Sequence, residues 1–198
     1  MAQNSLDMSP DAIAACVGHL SGRSRRARQE ASRTLVEIAR VDPALLTEYA
    51  PAFVEALSVH EAQTRWQCLE TLSHLSEVAP EVVRDGLGGA EDALFDEGSA
   101  SARVEAFRFL VRYGKVSPAD SAEVWPIMAE ALQCFHGDPE YREMLGCLRE
   151  FAQGELDADV RADLISRMEF DASSDRGLIR AHAHDICVIA SQGKDIDG

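Results

Sequence analysis

Three stretches of the sequence superimpose without a gap: RQEASRTLVEIARVDP (28–43), RWQCLETLSHLSEVAP (65–80) and RVEAFRFLVRYGKVSP (103–118). Each begins with arginine and ends with proline, and their first residues are 37 and 38 positions apart. Apolar side chains recur in each at i, i+4 and i+7, which is the spacing of one buried stripe on an amphipathic helix. A fixed period of this length is typical of a repeat protein, whose units stack to make a continuous core.

The matched positions keep their chemical character through the three stretches. They are the arginines Arg28, Arg65 and Arg103, the small apolar residues Ala31, Cys68 and Ala106, and the leucines Leu35, Leu72 and Leu110. A fourth copy, YREMLGCLREF (141–151), has its arginine displaced by one place to Arg142, and a degenerate fifth copy lies at 179–189. The pattern therefore predicts five repeats, each with one such helix.

A first helix precedes each of these second helices. Its starts at Ser9-Pro10, Asp42-Pro43 and Ser117-Pro118 pair an N-cap side chain with proline at the first helical position. No hairpin-turn signal between alternating apolar runs competes with this helical pattern. The sequence predicts an all-α, right-handed α-solenoid: a single domain over 9–191 with flexible ends at 1–8 and 192–198. We place its helical pairs near 10–41, 43–78, 80–114, 118–152 and 157–191, with the second helices beginning near 24, 61, 100, 138 and 175.

The stretch EVWPIM (123–128) puts Pro126 inside a predicted helix, at a cost of about 3 kcal/mol. Pro126 lies eight residues after the proline that starts its helix, and Pro51 and Gly88 occupy the same place in two earlier first helices. A helix breaker that recurs in phase indicates a bend once per repeat, which lets the outer helix follow a curved stack.

These features together resemble the HEAT-repeat family. The matching residues are the prolines Pro51 and Pro126, the arginines Arg28, Arg65, Arg103 and Arg142, and the turn from Gly137 to Arg142. Asp96 and Asp138 stand in the turn where the family has an aspartate that bonds the neighbouring arginine, whereas His60 stands near that place in the second repeat. The resemblance implies a non-enzymatic protein-binding scaffold that uses the concave face of its second helices.

The composition favours some partners over others. Asp and Glu number 34 against 19 Lys and Arg, and the formal net charge of −15 argues against general binding to nucleic acid or to an anionic membrane. We expect a cytoplasmic protein that is a monomer or weak dimer, and a protein partner with a basic or amphipathic segment. The first forty residues are an exception, with six arginines against four acids. They indicate either a docking end or a solvated helix.

The cysteines and histidines predict neither a metal site nor a cofactor. The five cysteines form no Cys-x-x-Cys and lie in apolar helical patterns, which indicates buried, reduced thiols. His182 and His184 are the closest histidine pair, but side chains at i and i+2 diverge on a helix.

The helical phase selects candidate binding residues on the predicted concave face. With Leu72 as the buried centre, positions 66, 67, 70, 74 and 77 point away from the core, and the same phase places 104, 105, 108 and 112 outward one repeat later. The partner-binding residues we single out are Trp66, Glu70, His74, Arg108 and Arg112. An exposed tryptophan flanked by arginine is typical of an interface anchor. Packing of Trp66 between repeats is the alternative.

The same residues loosely resemble the site of the HEAT-like alkylpurine DNA glycosylases. That resemblance implies Trp66 as the aromatic residue, Glu70 as the acid and Arg108 as the phosphate contact. Glu stands where that family has Asp, no second concave tryptophan is apparent, and the acidic net charge opposes DNA. We therefore favour the binding scaffold and keep a DNA-binding enzyme as the alternative.

Overall fold

The computed structural model describes residues 6–174 and 177–192, and every regular element within those ranges is helical. The helices are α1 Pro10–Gly18, α2 Arg25–Val41, α3 Ala50–Ala56, α4 Ala62–Leu75, α5 Pro80–Val83, α6 Leu87–Leu94, α7 Ala100–Gly114, α8 Pro118–Cys134, α9 Tyr141–Ala152, α10 Ala158–Ala172 and α11 Gly177–Gln192. Short 3-10 segments join α2 to α3 (Pro43–Tyr49) and α5 to α6 (Arg84–Gly86). None of the described helices combines the length and the apolar character needed to cross a membrane.

The predicted helix starts are found with one difference in capping. The Ser117 hydroxyl accepts from the Asp120 amide at 3.2 Å, and the Asp42 carboxylate accepts from the Ala44 amide at 3.2 Å. Ser9 precedes Pro10 as expected but makes no side-chain cap bond. The flexible ends predicted at 1–8 and 192–198 lie mostly outside the described residues.

The in-phase breakers act differently in the three first helices. In the second and third repeats the first helix is divided. A 3-10 segment precedes α3, which contains Pro51, and another precedes α6, which contains Gly88. In the fourth, α8 continues through Pro126. Pro126 and Ala122 are both exposed there, so water can serve the Ala122 carbonyl, which loses its helical donor.

The chain forms two compact units, residues up to Phe109 and residues from Leu110 onward. In the first unit the second helices α2 and α4 pack together, while α3 packs on α4 and α5. In the second unit α9 packs on α11, α8 packs on α10, and α10 packs on α11. Each unit thus has a layer of first helices and a layer of second helices. The core lies between those layers and includes Leu35, Phe53 and Leu72 in the first unit and Met144, Phe151 and Ile186 in the second.

The arginines that open the second helices hold the turns between repeats. Arg28 binds the Glu61 carboxylate and donates to the Gly22 carbonyl at 2.6 Å, and Arg65 binds Asp96. The predicted aspartate–arginine pair is therefore confirmed for Asp96. It is not found for Asp138, whose carboxylate forms no ion pair within the described residues. Glu61 supplies the carboxylate where His60 stands out of pattern. The hydrogen bond from Arg28 lowers the pKa of Glu61. The Gly98 amide and then Arg65 lower the pKa of Asp96.

The other two arginine markers differ in exposure. Arg103 is half-buried and donates to the backbone carbonyl of Asp96 at 2.8 Å. Arg142 is exposed on α9. The expectation of five buried thiols is wrong in part: Cys68 and Cys147 are buried, Cys16 and Cys187 are half-buried, and Cys134 is exposed at the end of α8. Burial raises the pKa of the Cys68 thiol to about 12.

Candidate functional site

Trp66, Glu70 and His74 lie on one stripe of α4, one turn apart, and all three are partly exposed. This stripe is outward because the opposite side of α4 buries Cys68, Leu72 and Leu75. Helical residues at i and i+4 are neighbours, so the three side chains form a continuous strip. The strip consists of one aromatic, one acidic and one imidazole group, and we call it the α4 strip.

The two tryptophans of the chain have contrasting environments. Trp125 is 6% exposed, its indole N–H donates to Asp163 at 2.8 Å, and its ring stacks on Phe151 with centroids 5.8 Å apart. Trp66 is more exposed, and within the described residues its indole N–H has no hydrogen-bond partner. A buried indole N–H normally finds such a partner. The free N–H of Trp66 is therefore available to water or to a bound molecule.

An ion-pair cluster lies beside the α4 strip. Both Nε and Nη2 of Arg40 on α2 donate to Glu70, at 2.9 and 2.5 Å, and Nη1 of Arg40 donates to Glu37 at 2.8 Å. The Glu70 side chain is 13% exposed, against 48% for Arg40. The hydrogen bond to Glu70 raises the pKa of Arg40, and the carboxylates of Glu37 and Glu105 raise it further.

The cluster continues onto α7. Glu105, whose charge reaches Arg40, accepts from Arg108 Nη1 at 2.5 Å. The side chain of Glu105 is 7% exposed and that of Arg108 is 36% exposed. The predicted site residues Trp66, Glu70, His74 and Arg108 thus belong to a face built from three second helices of the first unit, with carboxylates set between guanidinium groups. We call this the second-helix face.

Arg112 belongs to the second unit. Its Nε lies 3.8 Å from Glu150 Oε1, the same oxygen that Lys115 binds. Two cations therefore share one carboxylate at this place.

Some residues that the helical phase placed outward are buried. Gln67 is 4% exposed and accepts from the Ser32 hydroxyl at 2.7 Å, and Val104 and Glu105 are also buried. The expectation was wrong for these three because a second helix is covered on its flanks as well as on its core side. In the first unit, α2 packs directly against α4, so the residue next to the outward stripe faces the neighbouring helix.

The helical phase missed a polar cluster in the second unit. Asp171 is 3% exposed and accepts from the Tyr141 hydroxyl and from His136 Nε2, the latter at 3.1 Å. Burial, and then the bond to Asp171, raise the pKa of Tyr141. The partners are 30 and 35 residues apart, so their meeting depends on how the repeats stack. The one sequence signal that could have indicated this cluster is that its residues lie about one repeat apart in the chain.

The histidine-rich stretch of α11 does not form a cluster of metal ligands. His184 is exposed and His182 is half-buried. Across the described ranges, no group of three His, Cys, Asp or Glu side chains is placed to hold a metal ion.

No family model and no curated protein matches this sequence. Its similarity is to solved structures. One is a designed armadillo repeat protein in complex with the peptide (KR)4, at a TM-score of 0.74 and 12% identity, covering 91% of this chain and 82% of that chain. Another is a computationally designed armadillo repeat protein for modular peptide recognition, at a TM-score of 0.72 and 13% identity, covering 90% and 82%. A third is an engineered protein, at a TM-score of 0.69 and 14% identity, covering 93% of this chain and 85% of that chain. The all-α solenoid predicted from the repeat period is confirmed by these similarities.

Proposed function

We propose that this protein is a non-enzymatic scaffold whose second-helix face binds a basic peptide segment of a partner protein. The observation that carries the proposal is the contrast between the two tryptophans: Trp125 is buried and hydrogen-bonded, whereas Trp66 is partly exposed with a free indole N–H. Partly exposed tryptophans at the centre of a face are frequent interface hot spots.

The charges beside Trp66 favour a cationic ligand. Glu37, Glu70 and Glu105 place three carboxylates against the two guanidinium groups of Arg40 and Arg108. A lysine or arginine of the partner could lie over the Trp66 ring, where a cation gains about 0.5–2 kcal/mol, and share a carboxylate with Arg40. The net charge of −15 would also speed the approach of a basic segment.

The similar fold of a designed protein in complex with (KR)4 supports this choice of ligand class, since the same arrangement of helices is compatible with a basic peptide. We further propose that the repeats are of the HEAT type, on the basis of Pro51 and of the Arg65–Asp96 pair. The free thiols of the chain are consistent with a cytoplasmic location, which we also propose.

The geometry of Glu70 argues against the DNA glycosylase alternative. Its Oε1 accepts two donors from Arg40, so that oxygen is already occupied in the ground state. A general base must instead be free to approach the proton it abstracts. Duplex DNA would also meet the carboxylates of this face.

Fluorescence anisotropy with a labelled peptide of alternating lysine and arginine tests the proposal. We expect saturable binding that weakens with added salt, because the attraction between exposed charges is screened. Trp66→Ala should weaken binding by about tenfold, the loss of one anchor of about 1.4 kcal/mol. Glu70→Gln should weaken it less, since Arg40 already neutralises part of that charge.

Trp125→Phe is the matched control, because it removes the other tryptophan of the chain and should leave binding unchanged. In that variant Trp66 is the sole tryptophan, and its emission should shift on titration with peptide. Unchanged affinity in the Trp66→Ala variant, with the helical circular dichroism intact, would refute the proposal. A titration with duplex DNA at low salt tests the alternative of a DNA-binding enzyme, and saturable binding of the duplex would favour that alternative.

A further inference from the structure

A second surface lies in the first unit, at the edge where each second helix passes to the first helix of the next repeat. Val41 ends α2 and is 67% exposed, and Val78, just after α4, is 51% exposed. The two are 37 residues apart and so occupy equivalent places in successive repeats. Single exposed apolar residues are ordinary on protein surfaces. Two exposed valines at the same position of successive repeats instead indicate a surface that recurs with the repeat.

The repetition extends beyond the two valines. Four residues after each valine comes another apolar side chain, Leu45 (38% exposed) and then the half-buried Val82. Seven residues after each valine comes an exposed carboxylate, Glu48 and then Asp85. We call this two-repeat surface, defined by Val41, Leu45, Val78 and Val82 with its flanking acids, the turn edge.

The turn edge is strongly acidic. Residues 41–50 and the equivalent residues 78–87 contain four acidic residues and one basic residue, Arg84. Glu48, Glu81 and Asp85 are exposed, and within the described residues none of these three forms an ion pair. An exposed apolar strip with acids on its borders is complementary to a segment that has apolar residues in the middle and cations on both sides.

The spacing of the strip fits one kind of segment. Packed helices lie about 8–10 Å apart, so the two valines of adjacent repeats repeat at about that distance. An α-helix rises 1.5 Å per residue, and its residues i and i+7 are therefore about 10.5 Å apart on one face. A helix with apolar side chains at i and i+7 would place one against each of the two repeats, and an apolar residue at i+3 or i+4 would lie between them.

We propose that the turn edge binds a basic amphipathic helix of a partner protein, and that it does so independently of the second-helix face. Apolar residues of that helix contact Val41, Leu45 and Val78, and its lysines or arginines meet Glu48, Glu81 and Asp85. In the fourth repeat Asp120 stands at the position of Leu45 in the second repeat and Val82 in the third, so the apolar strip ends after two repeats.

The test uses the full chain and a labelled leucine–lysine peptide of about 18 residues, five turns of an amphipathic helix. Its control is a peptide of the same composition, reordered so that leucines are spread over all faces. We expect the amphipathic peptide to bind and the Val41→Ser/Val78→Ser variant to bind it about tenfold more weakly. The matched control variant is Leu178→Ser/Val188→Ser, which changes two α11 side chains that are 61% and 43% exposed and should keep the wild-type affinity.

The variants separate this surface from the second-helix face. Wild-type affinity in Val41→Ser/Val78→Ser, or equal loss in the α11 pair, would overturn the turn-edge proposal. Loss in Trp66→Ala with no loss in the valine pair would also overturn it, and would place the peptide on the second-helix face instead. All four valine and leucine substitutions are at exposed positions, so thermal unfolding should show little change in stability and affinity can be compared directly.

Discussion

Gly154 lies where two backbones approach so closely that a methyl group has no room. A Cβ at this position would lie 2.5 Å from both Lys115 Cβ and the Lys115 carbonyl oxygen, and 2.7 Å from Lys115 Cα. Two of these three atoms belong to the backbone, which cannot rotate away as the end of a side chain can. Non-bonded carbon atoms are normally about 3.5–4.0 Å apart, so Gly154→Ala requires the two segments to separate by about 1 Å.

The expected cost follows from what this separation disturbs. Overpacking of a well-packed site typically costs about 1–3 kcal/mol, and an immovable neighbour favours the upper end. The Glu155 amide donates to the Lys115 carbonyl at 3.0 Å, and stretching this bond adds about 0.5–1.5 kcal/mol. We therefore expect Gly154→Ala to lower the free energy of unfolding by about 3–4 kcal/mol, a large part of the 5–15 kcal/mol typical of folded domains.

Two other glycines of the same unit provide comparison variants for Gly154→Ala. At Gly114 an added Cβ would meet Val124 Cγ2 at 2.5 Å and Phe151 Cε2 at 3.0 Å, side-chain atoms that can shift, so we expect a cost of about 1–3 kcal/mol. At Gly146, exposed in α9, nothing lies within 4 Å, and alanine should stabilise the helix by about 1 kcal/mol. Urea unfolding followed by circular dichroism measures all three. If Gly154→Ala were as stable as Gly146→Ala, the close approach of the two backbones would be refuted.

Three further predictions concern charged and phenolic groups. Replacing Glu61 by Gln should lower the free energy of unfolding by about 1–2 kcal/mol at neutral pH, because a carboxyl group whose pKa is lowered on folding stabilises the protein above its unfolded-state pKa. The difference in unfolding free energy between variant and wild type should shrink as pH falls through the acid range. Equal differences at neutral and at acid pH would contradict the Arg28 pairing. Burial raises the pKa of Tyr113 and of Tyr141, so both phenols hold their protons in the folded state and stability should fall as pH rises above about 10; their phenolate absorbance should appear together with loss of helical signal, not before it. Arg161 is buried and donates to the carbonyls of Ala152, Gly154 and Ala190, so Arg161→Ala should lower the free energy of unfolding by about 2–4 kcal/mol in urea titrations, whereas Arg167→Ala, which removes an exposed pair with Asp163, should cost under about 1 kcal/mol.

The helices could be predicted closely because each is encoded by local signals. Prolines at Pro10, Pro43, Pro80 and Pro118 begin first helices, and the apolar period fixes which side of each second helix is buried. A 37-residue period also requires that equivalent helices stack. The proline and apolar signals act within one or two turns of helix, so they can be recognised in a single sequence.

The partners within the candidate site could not be predicted in the same way. Arg40 binds Glu70 and Tyr141 binds Asp171, each across 30 residues, and no property of either residue alone selects the other. The offset between stacked helices decides which side chains meet. That offset depends on side-chain packing between α2 and α4, which also buries Gln67 against Ser32 where the helical phase alone predicted exposure.

The distribution of paired and unpaired carboxylates separates the two proposed surfaces. On the second-helix face, Glu37, Glu70 and Glu105 are bound to arginines, so most of the acidic charge there is already neutralised. On the first helices, Glu81, Asp85, Glu91 and Asp92 are all exposed. Screening by salt acts most strongly on exposed, unpaired charges. Binding of a basic helix at the turn edge should therefore weaken more steeply with salt than binding of a basic peptide beside Trp66, where ring contact and desolvated carboxylates contribute more of the affinity.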